Sequence, residues 1–224
     1  MNNLVLITSI INTPNIPLSY TNIRSTYTPD ERYEQLKRTI NSVREKIPNI
    51  EIFLVECSDL TDIQFDYLTK NTNYFLNLYD NESARVNIYS ISKSLGENTM
   101  IYYALQKILL NDIVFDNLIK ISGRYWLSNN FNYDFFNNNK IVIKYIEKDS
   151  NNVLTALYKL PKNLLHKYML YLGNNFDKMK ECIGCEVLFA HFIKSIQNDY
   201  DILIIDPIGL TGFVSVDTNN LCNC

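Results

Sequence analysis

The chain's 224 residues are enough for one sizeable hydrophobic core and few for two. Apolar residues make up 46% and charged residues 20%, which excludes a chain disordered throughout. A net charge of −3 without any run of Lys and Arg argues against a nucleic-acid partner, since a non-specific grip on nucleic acid needs a basic face.

Asn, Ile and Tyr are abundant, a skew read first as AT-rich codon usage. Residues 3–11 form a continuous apolar run with β-branched side chains, the pattern of a strand buried on both faces of a parallel sheet. No basic leader precedes it, and no stretch approaches the roughly 18 apolar residues of a membrane span, so a cytoplasmic protein is expected (host cytoplasm for a viral one). A loop rich in Asn, Pro, Ser and Thr covers 12–28, long enough to suggest function. Thr28-Pro29-Asp30-Glu31 reads as a capping box with proline at the first helical position. Tyr33, Leu36, Ile40, Val43 and Ile47 follow at spacings of three and four, and Pro48 ends the helix. Residues 50–55 form a second strand that closes on Glu56-Cys57-Ser58. A helix is expected over 60–70, capped by Ser58 or Asp59, and a short strand over 86–91.

Ser94-Leu95-Gly96-Glu97 reads as another capping box, opening a helix with Ile101, Leu105, Ile108 and Leu109 inward. Residues 117–125 look like a central strand ending in a turn, and 141–146 and 153–158 like two more strands. Pro161 to Gly173 and 185–196 are predicted helices, and 202–205 and 212–216 short strands. Alternation in the first half and strands over 117–158 give an α/β fold. Its sheet is open, mixed and mainly parallel, with helices on both faces.

Ligands of such sheets sit beyond the carboxyl ends of the strands. Thr8, Ser9, Glu56, Ser58, Lys93 to Glu97 and Ser122 to Tyr125 are the polar groups placed there, and they are expected to converge on one crevice. Lys93 adds a charge to a helix N-terminus, and Gly96 leaves the backbone open to a ligand, although neither GxGxxG nor a P-loop is present. Lys120 enters an apolar strand, and a glycine turn then presents Arg124 beside Tyr125 and Trp126; arginine suits phosphate contact and ring stacking. Glu186 lies on a helix apolar nearly all round, where a carboxylate is paired or held for acid–base work. The plainer alternatives are ion pairs for Arg124 and Glu186, an ordinary cap for 94–97, and structural roles for His166 and His191. Cys182 and Cys185 with Cys222 and Cys224 invite zinc, but the second pair is CxC at an end read as frayed, so free thiols are favoured.

The opening strand, Arg24 to Arg32, Val55-Glu56-Cys57-Ser58, Lys93 to Glu97, Lys120 to Trp126 and the Glu186 helix together resemble small GT-A-like glycosyltransferases, such as large DNA viruses and some bacteria encode. The resemblance spans most of the chain. It implies a single domain over 1–224 on a Rossmann-like sheet, with a nucleotide-binding half at 1–116 and an acceptor and catalytic half at 117–224. It also implies a nucleotide-sugar donor, a UDP- or GDP-sugar, and a carbohydrate or glycan acceptor. Donor contacts would come from Thr8, Ser9, Arg24, Arg32, Glu56, Lys93, Gly96 and Tyr125. Arg124 and Glu186 would be catalytic, Glu186 as general base.

In that family the strand after the phosphate-side helix usually ends in Asp-x-Asp, which binds a divalent metal. Here that position reads Ser122-Gly123-Arg124, and Asp134 stands alone. A metal-independent transferase is therefore expected, with Arg124 and Lys93 neutralising the leaving diphosphate. Use of Mn²⁺ or Mg²⁺ is one alternative, and a non-catalytic nucleotide- or sugar-binding module on the same fold is another.

Overall fold

A computed structural model describes residues 1–147, 151–214 and 221–224. Along the chain the elements begin with β1 (Asn3–Ser9), α1 (Pro29–Lys46), β2 (Glu51–Glu56), α2 (Asp62–Lys70), β3 (Tyr74–Asn77), α3 (Glu82–Ile88) and α4 (Lys93–Leu110). They continue with β4 (Asn117–Ser122), β5 (Tyr125–Leu127), β6 (Ile141–Ile143), β7 (Leu157–Pro161), α5 (Leu165–Asn174), α6 (Phe176–Lys180), α7 (Cys185–Ile196), β8 (Ile202–Ile204), β9 (Leu210–Phe213) and β10 (Leu221–Asn223).

All of β1 is buried because it is covered on every side. Strands β2 and β4 flank it in parallel, with Ser9 opposite Glu56 and Thr8 opposite Ser122, so three strands end at one level. Alternate residues point to opposite faces. Leu4 and Leu6 join Ile101 and Leu105 of α4 and Leu188 and Phe192 of α7 in one core. Val5 and Ile7 join Leu36, Ile40 and Val43 of α1 in the other.

The large sheet has seven strands in the order β3-β2-β1-β4-β7-β6-β8, and all run parallel except β7, which opposes both neighbours. An α/β fold with a mainly parallel mixed sheet and helices on both faces is therefore what the chain forms. A second, antiparallel sheet of order β10-β9-β5 covers the segment after β4. No helix among the described residues is long and apolar enough to cross a membrane.

The Thr28 box forms in full: the hydroxyl accepts from the Glu31 amide at 3.3 Å, and the Glu31 carboxylate accepts from the Thr28 amide at 2.8 Å. Elsewhere the caps lie off the expected positions. Thr61, not Ser58 or Asp59, caps α2. Ser92, not Ser94, caps α4: its hydroxyl accepts from the Leu95 amide at 3.1 Å and donates to the Met179 carbonyl at 2.6 Å. Residues 82–88, which overlap the first three positions of the strand expected over 86–91, form a helix because Asn81 caps it and Ala84 and Ile88, four apart, bury one face while Val86 stays exposed.

The strand expected at 153–158 begins at Leu157 and runs through Pro161, and Gly173 sits inside α5 rather than ending it. The strand expected over 212–216 is Leu210–Phe213, and residues 215 and 216 lie outside the described residues. The end read as frayed is paired: β10 lies against β9, and Cys224 exchanges backbone hydrogen bonds of 2.8 Å with Leu210.

Gly96 has a packing reason of its own. A Cβ there would lie 2.8 Å from the Ile88 carbonyl oxygen, so α4 can cross the end of α3 only with glycine at that position. Gly96→Ala is expected to cost about 1–3 kcal/mol by overpacking. The readout is a lower urea midpoint at an unchanged m-value; an unchanged midpoint would remove this account.

Candidate functional site

The carboxyl ends of β1 and β4, the first turn of α4 and the 12–28 loop line a pocket with a cavity volume of about 100 Å³. It lies at the place where open sheets bind ligands. Seven of the expected residues line it: Thr8, Ser9, Arg24, Arg32, Lys93, Gly96 and Arg124. Glu97 and Ser122, from the same polar segments but with no role assigned from the sequence, line it too.

Each arginine is fixed by a different piece of local structure. Arg24 holds the loop to the α3–α4 corner, donating to the carbonyls of Ile88 and Ser90 at 2.8 Å each and of Ile16 at 3.2 Å. Arg32 is on the first turn of α1 and donates to the Ile10 carbonyl at 2.6 Å and the Ser25 hydroxyl at 3.3 Å. Arg124 follows β4 in a turn pressed onto β1: the Gly123 amide donates to the Thr8 carbonyl at 2.8 Å, and a Cβ on Gly123 would stand 3.0 Å from that of Ser9. The Arg124 guanidinium donates to the Phe213 carbonyl at 2.9 Å. Lys93 makes no side-chain hydrogen bond to any described residue.

Among the described residues, none of these four cations forms an ion pair with a carboxylate. Burial pushes the Arg32 guanidinium down to about 9, and the neighbouring charges of Arg124 and Arg24 add to that depression, against the pull of Glu56. Arg24 is lowered by burial too. The pocket thus crowds like charges in a partly dry space, the condition under which an anion binds well.

Its acidic counterweight is Glu97. Lys120, fully buried in β4, donates to Glu97 Oε1, to the Ser122 hydroxyl at 2.6 Å and to the Thr155 carbonyl at 2.7 Å. Burial by itself raises the Glu97 carboxyl, but Lys120, Lys93 and Arg124 outweigh it and hold the group below its ordinary value. This pair spans 23 residues of sequence. Its one local sign is a lysine inside an apolar strand.

Three of the residues given site roles from the sequence are not brought into the lining. Glu56 is fully buried behind it and braces the strand ends: its Oε1 accepts from the amides of Ile11 and Cys57 at 3.1 and 2.9 Å and from the Ser58 hydroxyl at 2.7 Å. Tyr125 belongs to the small sheet, where its ring lies so close over Gly212 that a Cβ there would meet it at 2.3 Å. Glu186 is in the first turn of α7, where a carboxylate suits the helix dipole, and accepts from the Thr155 hydroxyl at 3.5 Å. The two histidines lie exposed on helix surfaces.

Among the described residues, no three His, Cys, Asp or Glu side chains come together as a metal-ion site. The cysteines are free; Cys185 is buried at the start of α7, and the Cys222 and Cys224 sulfurs lie 2.7 Å apart on the small sheet. Comparison with known protein families and with curated proteins finds no match to the chain.

Proposed function

We propose that the pocket binds the diphosphate of a nucleotide-sugar, and that the protein is a GT-A-like glycosyltransferase passing the sugar to a carbohydrate hydroxyl without a divalent metal. The observation that carries this reading is the set of four cations, Arg24, Arg32, Lys93 and Arg124, lining one crevice without carboxylate partners among the described residues. A diphosphate would relieve their mutual repulsion. In transfer, charge builds on the leaving diphosphate, and fixed cations can stabilise it in place of a metal. Arg124 and Lys93 are assigned that task, and Arg24 and Arg32 hold the nucleotide side. Glu186 lies outside this lining and is given no role in it.

One observation favours a second reading, a nucleotide-sugar-binding module on the same fold. Glu97, the carboxylate in the lining, is tied to Lys120 and Ser122 instead of standing free as a base.

Thermal denaturation with UDP-, GDP-, CMP- and dTDP-sugars, each in EDTA and in Mn²⁺, tests the binding. One nucleotide-sugar in EDTA is expected to stabilise the fold by about 2.7 kcal/mol at a hundredfold excess over its Kd. A shift seen only with Mn²⁺ would overturn metal independence, and no shift with any donor would overturn the proposal. Release of nucleoside diphosphate from the stabilising donor separates the enzyme from the module.

A further inference from the structure

The pocket is not uniformly cationic. Glu97 sits among the cations with 17% of its side chain exposed, and its two oxygens are unequally used. Oε1 accepts from the Lys120 ammonium and, at 3.3 Å, from the Ser122 hydroxyl. Among the described residues, the hydrogen-bond partner of Oε2 is the Cys185 thiol at 4.0 Å, a weak donor at the limit of its reach. Burial and the Glu97 charge keep that thiol protonated. Toward the described residues Oε2 therefore has most of its hydrogen-bonding capacity unspent, on a carboxylate locked in one orientation by a buried lysine.

A phosphate cannot take that place, because an anion beside an ionised carboxylate is repelled. The group next to Glu97 has to donate hydrogen bonds and carry no negative charge, while the rest of the ligand answers to the cations. Resting on the anion-pocket reading above, we infer that Glu97 is the specificity-determining residue that accepts a hydrogen bond from a hydroxyl of the ligand's sugar, with Lys120 and Ser122 as its positioning residues. The pocket then selects a molecule that is a diphosphate at one end and a polyol at the other, and disfavours a bare nucleoside diphosphate or a triphosphate whose extra phosphate would reach the carboxylate. Ligands that lack a donor at this point leave Oε2 unpaired, which is the kind of mismatch that discriminates strongly.

The test compares wild type with Glu97→Gln by calorimetry, using inorganic pyrophosphate, UDP, UDP-glucose, GDP and GDP-mannose, all in EDTA. Glutamine keeps a carbonyl oxygen for Lys120 but removes the charge. Pyrophosphate is expected to bind the variant at least as tightly as wild type. The preference for the better nucleotide-sugar over its own nucleoside diphosphate is expected to fall about tenfold or more, as when a charged hydrogen-bond partner is removed. An equal loss for pyrophosphate and nucleotide-sugar, or an unchanged preference, would overturn the inference while leaving the anion pocket standing. Failure of pyrophosphate and both diphosphates to bind wild type would overturn the pocket reading itself. Should the glutamine variant not fold, Glu97→Asp keeps the charge near Lys120, withdraws the oxygens by one methylene, and is read against the same outcomes.

Discussion

Arg124→Ala is expected to weaken binding of a nucleoside diphosphate by about a hundredfold while leaving the unfolding midpoint within error of wild type. A hydrogen bond to a charged group contributes about 1.5–3 kcal/mol, and a guanidinium can present two to one phosphate, so a loss near 2.7 kcal/mol is the reasonable centre. Stability should hold because Arg124 is only half-buried, has no carboxylate partner among the described residues, and gives the fold one bond to the Phe213 carbonyl. Its charge also works against a neighbour: after burial, it is the next cause that lowers the Arg32 guanidinium, so its removal relieves repulsion in the pocket. Calorimetric titration in EDTA alongside urea unfolding gives both quantities. Unchanged affinity would remove Arg124 from the site, and a large stability loss would make it a structural residue.

Lys120→Ala should have the larger effect on the fold, about 3–5 kcal/mol, the usual result of removing one partner of a buried ion pair. For a chain of this length that corresponds to a fall in Tm on the order of 10 °C. The lysine is completely enclosed, and its loss strands three acceptors at once: Glu97 Oε1, the Ser122 hydroxyl and the Thr155 carbonyl. Adding Glu97→Leu to Lys120→Met is expected to recover much of the loss, because an apolar pair of similar volume has no charge to desolvate. A cost below about 1 kcal/mol for Lys120→Ala would mean that the ammonium is satisfied by water and that the pair does not hold Glu97 in place.

The parts of the fold legible in the sequence were those determined within a few residues. The Thr28 box and the three- and four-residue spacing of α1 are local, and α7 is bounded correctly because a dense apolar run begins right after Gly184. Residues 86–91 misled because their β-branched side chains favour a strand, whereas the Asn81 cap and the burial of Ala84 and Ile88 decide for a helix. The reversed direction of β7, and the pairing of β10 with β9, depend on partners far along the chain and leave no local mark.

The same division holds at the site. That Thr8, Ser9, Lys93 and Arg124 come together beside one pocket is legible because strand ends and a helix start place them. Glu97 is placed at the crevice by the sequence only as the end of a cap, with no role of its own, since its pairing with Lys120 exists only once α4 lies against β4. Glu186 stands out in the sequence because an apolar helix makes any carboxylate look purposeful; the structure places it on the first turn of α7, outside the lining.

The position of β1 between β2 and β4 has a consequence for how the protein is made. On the ribosome, Leu4 to Thr8 emerge before both partner strands, and residues 51–56 can close one edge soon afterwards. The other edge waits for residues 117–122, more than a hundred residues later in synthesis. Until then the nascent chain carries a strand of apolar side chains with unmet backbone groups, the kind of surface that chaperones bind and that aggregates when it is not shielded. A cut between residues 116 and 117 would leave both fragments with that problem permanently, so the two pieces should survive only when produced together and able to find each other.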